Sequence, residues 1–180
     1  MKKTEVLFFL LAAFILNCCK KSNSSQAPSI VGNWVISDIS GTYAYQSNPV
    51  APLSTTVYSY SGNVLKETDT GKLSLVTVNN EAWAFNNDGT VSIIENYQSS
   101  TATAPVIDTI KGWWDYTGNT VPNSSVVLRT ITTPGIVPIG STFIVQSVSS
   151  TQLILAADEY STSSAGATTN RNLTLTFIRQ

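Results

Sequence analysis

Beyond residue 28 the hydrophobic positions recur at every second residue, and residues two apart share one face of an extended strand. In 173–180, LTLTFIRQ, this places Leu173, Leu175, Phe177 and Arg179 on one face and Thr174 and Thr176 on the other. In 82–97, AWAFNNDGTVSIIENY, Trp83 and Phe85 share a face before Asn87-Asp88-Gly89, and Val91 and Ile93 share one after it. Asn and Asp tolerate turn geometry and Gly supplies the positive φ of a tight connection, so the segment is predicted to be a β-hairpin. Phe143 and Val145, then Val148, precede a polar 149–152, after which Leu153 and Leu155 resume the alternation as a second hairpin. Further strands are predicted at 31–37, 41–46, 56–61, 72–78, 112–117 and 126–132, with long loops at 47–54, 97–105 and 132–140 and a flexible surface connection at 161–170. No stretch long enough for a helix carries a helical period. The pattern therefore predicts an all-β domain of about eight to ten short antiparallel strands, a barrel or, alternatively, a β-sandwich.

The first residues follow a different rule. Lys2 and Lys3 precede an apolar run over 6–16 that ends at Asn17, Cys18 and Cys19. A membrane-spanning helix needs about 20 apolar residues, whereas a basic start followed by a shorter run is the pattern of a secretory signal. The junction resembles a bacterial lipobox, in which the cysteine is lipidated and becomes the first mature residue. Cys19, with Leu16 three residues before it and the small Cys18 directly before it, fits better than the alternative Cys18, preceded by Ile15 and the bulkier Asn17. The expected organisation is a signal peptide at 1–18, a flexible polar tether at 19–28 (CKKSNSSQAP), and a single β domain at 29–180. The competing expectation is an ordinary secreted protein whose two cysteines pair or leave with the signal. The lipid would hold the domain at the cell envelope, on the outer membrane facing the periplasm. The cell surface is the alternative; the basic Lys20-Lys21 pair after the cysteine departs from the acidic export tags seen at such surfaces.

Composition narrows the chemistry. The chain has no histidine, and both of its cysteines fall at the lipobox, so most nucleophilic triads and most zinc or copper sites are excluded, which leaves carboxylate chemistry or a hard-cation site built of oxygens. Asp158-Glu159 would point to opposite faces of a strand, and Glu67 with Asp69 reads as a solvated strand end or loop. No catalytic motif emerges, and the expectation is a non-enzyme without cofactor or metal. With 10 Lys and Arg interspersed among 11 Asp and Glu, no basic patch suits nucleic acid.

Gly32-Asn33-Trp34 at the first strand, Phe85-Asn86-Asn87-Asp88-Gly89-Thr90 in the middle, Gly112-Trp113-Trp114-Asp115-Tyr116 next and the closing LTLTFIR stand in an order and spacing that resembles the lipocalin-like lipoproteins of Bacteroidetes. The resemblance implies an antiparallel up-and-down β-barrel with an apolar cup. It also implies that Trp34 packs at the closed end, that Gly32 allows close approach there, and that a late basic residue, for which Arg179 is the candidate, lies across the indole. Candidate cavity-lining residues are Trp83, Phe85, Trp114, Tyr116, Phe143 and Phe177. Adjacent strand residues face opposite sides, so Trp114 with Tyr116 is expected to look inward and Trp113 outward as a candidate surface platform. Two functions follow as expectations: a barrel that binds a small apolar or carbohydrate ligand, or an envelope scaffold that presents a rigid surface to another component and holds no small ligand. An Asp108-Thr109-Ile110 tripeptide resembles the short O-glycosylation site of the same bacteria.

Metabolic labelling with an alkynyl palmitate is expected to mark the wild-type chain and the Cys18→Ala variant but not Cys19→Ala; labelling that survives in Cys19→Ala would remove Cys19 as the anchor.

Overall fold

The computed structural model describes residues 29–69, 72–117, 124–130 and 142–180. The expected signal peptide, the lipidated Cys19 or Cys18, the tether and the 132–140 loop lie outside the described residues. The described residues form ten strands: β1 (Gly32–Gln46), β2 (Ser54–Ser61), β3 (Val64–Asp69), β4 (Lys72–Phe85), β5 (Thr90–Ser99), β6 (Val106–Thr117), β7 (Ser124–Thr130), β8 (Thr142–Val148), β9 (Gln152–Thr162) and β10 (Thr168–Arg179). Each pairs antiparallel with its neighbours in sequence order, and β10 returns to β1, so one sheet closes on itself as a ring.

Several strands are longer than the sequence pattern predicts, and the cause is local. The expected strands 31–37 and 41–46 are one strand, β1, and 72–78 merges with the first arm of the central hairpin into β4. Register shifts fall between Ile36 and Asp38, and between Val78 and Asn80. A bulge adds one residue and so exchanges the two faces. Trp34 and Ile36 point inward before it and Ile39 after it; in β4, Val76 and Val78 give way to Glu81, Trp83 and Phe85. A third shift, between Val145 and Ser147, explains the uneven Phe143, Val145, Val148 spacing of β8. The 161–170 connection shrinks to 163–167 because β9 and β10 pair as far as Thr162 with Thr168. β3 has one buried residue, Leu65, too few to show a period; it follows β2 through Gly62-Asn63, whose φ values of 58° and 63° suit a two-residue hairpin turn.

The ring changes its strands along its length. At its beginning β1 pairs directly with β4, Trp34 opposite Trp83; farther along it pairs with β2, Gly41 opposite Tyr58. The β2–β3 hairpin is thus wedged between β1 and β4 at one end only. Eight strands, β1 and β4 to β10, encircle the Trp34 end; among the described residues β7 and β8 pair with their neighbours only toward that end. A ring of eight strands has an interior that side chains fill or that holds one small ligand.

The central hairpin forms as its residues predict. Asn86 and Thr90 close it (Asn86 N donates to Thr90 O, 2.9 Å), Gly89 N donates to Asn86 O at 3.1 Å, and Gly89 adopts φ 80°. Asp88 Oδ1 accepts from Thr90 N at 2.9 Å and from its hydroxyl at 2.7 Å, and these bonds hold its carboxyl below the usual range.

Trp34 is fully buried and donates its indole N–H to Ile30 O at 2.6 Å. Arg179 pairs with it across β1 and β10, its guanidinium carbon 4.5 Å from the ring centroid. The same guanidinium donates to Ser29 O (3.0 Å) and Val31 O (2.8 Å), tying the chain before β1 to the end of β10. Gly32 permits this: its φ is +141°, and a Cβ there would meet the Arg179 guanidinium at 3.2 Å. The close approach at Gly32 is therefore to a side chain. Arg179→Ala is expected to lower the urea midpoint, a loss of roughly 0.5–2 kcal/mol from the cation–π contact, with an unchanged denaturant slope. An unchanged midpoint would mean that Arg179 does not secure this end.

Candidate functional site

Four of the six residues expected to line a cup fill the Trp34 end of the ring instead. Trp83, Phe85, Phe143 and Phe177 are all at most 1% exposed. Trp83 lies at the centre of the group, its ring 5.1 Å from Phe177, 5.9 Å from Phe143 and 6.1 Å from Phe85. Edge-to-face and tilted pairs at these distances add about 0.5–1.5 kcal/mol each beyond burial. Trp114 is partly buried, edge-on to Phe85 at 5.6 Å, with its indole N–H on Asn86 O. Tyr116 departs from expectation: it is 40% exposed, and its hydroxyl donates to Ser124 Oγ at 2.7 Å. It lies two residues beyond Trp114 near the end of β6, opposite the buried Val126 of β7.

Away from the Trp34 end the interior changes character. On β5 the inward phase runs Val91, Ile93, Glu95, Tyr97, and on β4 it runs Phe85, Trp83, Glu81. Glu81 and Glu95 are cross-strand partners, 2% and 3% exposed, and directly opposed residues hold their Cβ atoms about 4.5–5.5 Å apart. Glu81 Oε1 accepts the Trp83 indole N–H at 2.7 Å, while Oε2 is buried without a hydrogen-bond partner among the described residues. Burial, first, and the charge of Glu95 push the Glu81 carboxyl up to about 8, against the pull of the Trp83 bond. Asp108 stands opposite Glu95 on β6, in the inward phase of Ile110, and is exposed.

Tyrosines complete this layer. Tyr60 is held above its ordinary range by burial and then by Glu81; Tyr97 by burial and then by Glu95, Glu81, Asp108 and Glu67. Tyr58, buried opposite Glu67, is raised by its own burial and then by Glu67. Glu67 is half-buried and raised by burial, which corrects its reading as a solvated strand end. Asp158 and Glu159 point to opposite faces of β9 as expected: Glu159 bonds Arg171 at 2.8 Å, whereas Asp158 is exposed. The sequence reading missed Glu81 and Glu95. Their signal was an acidic residue standing in the apolar phase of both arms of the one hairpin it read best.

Trp113 faces outward as expected and is 58% exposed. It borders an outer groove of about 450 Å³ with Asn86, Thr90, Ser92 and Lys111. Among the described residues no group of three or more His, Cys, Asp or Glu side chains is placed to hold a metal ion.

No protein-family model, no curated protein and no solved structure matches this chain. Its candidate site is defined by its own geometry: a ring whose half away from Trp34 is lined by carboxylates and phenols.

The buried carboxyl makes stability depend on pH. The Glu81 carboxyl is raised in the folded chain from 4.5 to about 8, so its contribution is fully present below about 4.5 and is lost as pH rises through 8. Urea midpoints of the wild type are expected to fall across this window, by the order of a few kcal/mol in unfolding free energy, and Glu81→Gln is expected to remove much of the fall. A flat wild-type profile would mean that the Glu81 carboxyl is hydrated.

Proposed function

We propose that this chain is a lipid-anchored protein of the bacterial cell envelope whose ring is a lipocalin-like up-and-down barrel, and that it binds a small organic molecule in the half of the ring away from Trp34 without converting it. The observation that carries this reading is the change of lining along the ring: the Trp34 end is filled by its own aromatic residues, whereas the other half turns Tyr58, Tyr60, Glu67, Glu81, Glu95 and Tyr97 inward. A scaffold gains nothing from a buried carboxyl oxygen without a partner, such as Glu81 Oε2, which costs free energy. Pockets that hold small ligands combine an apolar wall with a few convergent polar groups, and this interior has both. The absence of histidine from the chain agrees with binding rather than turnover. The polar lining shifts the ligand away from a purely apolar molecule.

The outer groove supports a second contact. An exposed indole beside Asn86, Thr90, Ser92 and Lys111 has the makings of a sugar platform, with a flat apolar face and hydrogen-bonding groups at its edge.

Native mass spectrometry on residues 29–180, after incubation with a small-molecule extract of a producing cell, is expected to show one retained species that Trp113→Ala leaves in place. A chain that retains nothing would overturn the binding reading in favour of the scaffold. Loss on Trp113→Ala alone would move the site to the outer groove.

A further inference from the structure

The groove on the outer face of β5 and β6 is built by two cross-strand pairs. Thr90 stands opposite Trp113 and Ser92 opposite Lys111, while Val91 and Gly112 between them are buried in the other phase of their strands. Two long side chains on β6 thus face two short ones on β5, with Ala84 of β4 next to Ser92. The step between them is the groove of about 450 Å³, a size within the range of small-ligand sites, about 300–1,000 Å³.

The two ends of the groove are chemically unlike. Toward the turn the donors are already engaged: Asn86 Nδ2 donates to the Thr90 hydroxyl at 2.9 Å, and that hydroxyl donates to Asp88 Oδ1 at 2.7 Å. Asn86 Oδ1 is left as an acceptor. Away from the turn lie the Ser92 hydroxyl and the Lys111 ammonium, and neither has a hydrogen bond or ion pair among the described residues. The Trp113 indole N–H is likewise without a partner there. Of the other charges nearby, Arg129, opposite Trp113 on β7, is paired with Asp115 at 3.0 Å, and Asp88 is held at the turn by the Thr90 N–H and hydroxyl. Lys111 is therefore a cation that the local structure does not neutralise. A purely apolar occupant would cover Ser92 and Lys111 without partners, which costs free energy. A cation is repelled by Lys111, and a nucleic-acid strand needs a track of cations, where this groove has one. An exposed indole offers a flat apolar face with a donor at its edge, and a pyranose ring matches it with an apolar face and a rim of hydroxyls. A neutral sugar, however, leaves the ammonium without a counter-charge.

We propose that the outer groove binds an acidic sugar, with one ring stacked on Trp113, its carboxylate on the Lys111 ammonium and its hydroxyls on Ser92 and Asn86. This rests on the sugar-platform reading of the same groove and names the class of sugar. Trp113 and Lys111 are two residues apart on β6, about 7 Å along an extended strand, so a ring over the indole carries a carboxylate at its edge within reach of the ammonium. Charge-assisted bonds of this kind are stronger than those between neutral groups, and the ammonium here is exposed, which limits its contribution to that of a solvated pair. The groove lies on the outer face of the sheet whose inner face carries Val91 and Ile93, so this ligand and one inside the ring do not compete.

The test follows three probes by calorimetry on residues 29–180, which hold every strand of the ring: trigalacturonate, its methyl ester, which keeps every ring and removes the charge, and tricarballylate, which keeps the carboxylates and removes the sugar. Trigalacturonate is expected to bind roughly three- to fivefold more tightly than the ester, the scale of one exposed ion pair, and tricarballylate not at all. Salt at about 1 M, which shortens the screening length to about 3 Å, is expected to remove the advantage of the acid. Lys111→Ala is expected to bring the acid down to the ester, and Trp113→Ala to weaken both sugars about tenfold; both side chains are exposed, so neither substitution opens the core. Equal binding of acid and ester, or an advantage of the acid that survives Lys111→Ala, overturns the acidic assignment and leaves the sugar platform intact. Tricarballylate that binds as tightly as trigalacturonate overturns it in favour of a site for simple anions. Sugar binding untouched by Trp113→Ala removes the groove as the site. Failure of both sugars removes the platform reading and this proposal together, and leaves the interior reading to its own mass-spectrometric test.

Discussion

Strand β1 is hydrogen-bonded along both of its edges, to β10 on one side and to β4 and then β2 on the other. Everything else in the molecule depends on this double pairing. An antiparallel sheet of this size would otherwise expose two rows of unpaired backbone groups, which template aggregation; closure removes them. Because β1 exchanges one partner for another along its length, the strands that line the ring differ between its two ends. The two bulges, in β1 and β4, lie in the strands that part to admit the β2–β3 hairpin, where added local twist lets neighbouring strands diverge.

The interior changes its chemistry between the two ends. At the Trp34 end inward side chains meet across the ring, and Trp83 packs against three phenylalanines under the Trp34–Arg179 closure. Toward the other end the inward phase of β4 and β5 reaches the buried Glu81 and Glu95. Glu81 stands at the transition, its one satisfied oxygen held by the last tryptophan of the packed cluster. Bonding of this kind orients the carboxylate and couples the aromatic cluster to the polar layer, so tryptophan emission reports directly on that carboxyl.

Charge placement separates the interior from the outer surface. Outside, acidic and basic groups alternate, as in the exposed Arg129–Asp115 pair at 3.0 Å, and such pairs contribute little. Inside, acids outnumber bases, and the Arg171–Glu159 bridge is confined to the rim. Burial of like charges opposes folding, and natural proteins tolerate such opposition mainly where function needs it.

Much was legible in the sequence because alternation is a local property. The period of two placed Leu173, Leu175, Phe177 and Arg179 on one face, separated Trp113 from Trp114, and with Asp88-Gly89 located the central hairpin; all of these depend on residues a few positions apart. Only the tertiary structure decided the rest. Bulges exchange faces without any compositional mark, so β1 and β4 read as fragments, and β3 has a single buried residue and left no period. Whether Trp83 and Phe85 line a space or fill it depends on how many strands surround them. That Glu81 meets Glu95 depends on the register β4 adopts on β5 past its bulge, and that Tyr116 stays exposed depends on what packs around the end of β6. Side-chain direction is set within a strand, whereas width, register and depth are set by pairings between residues far apart in the chain, and no local period encodes them.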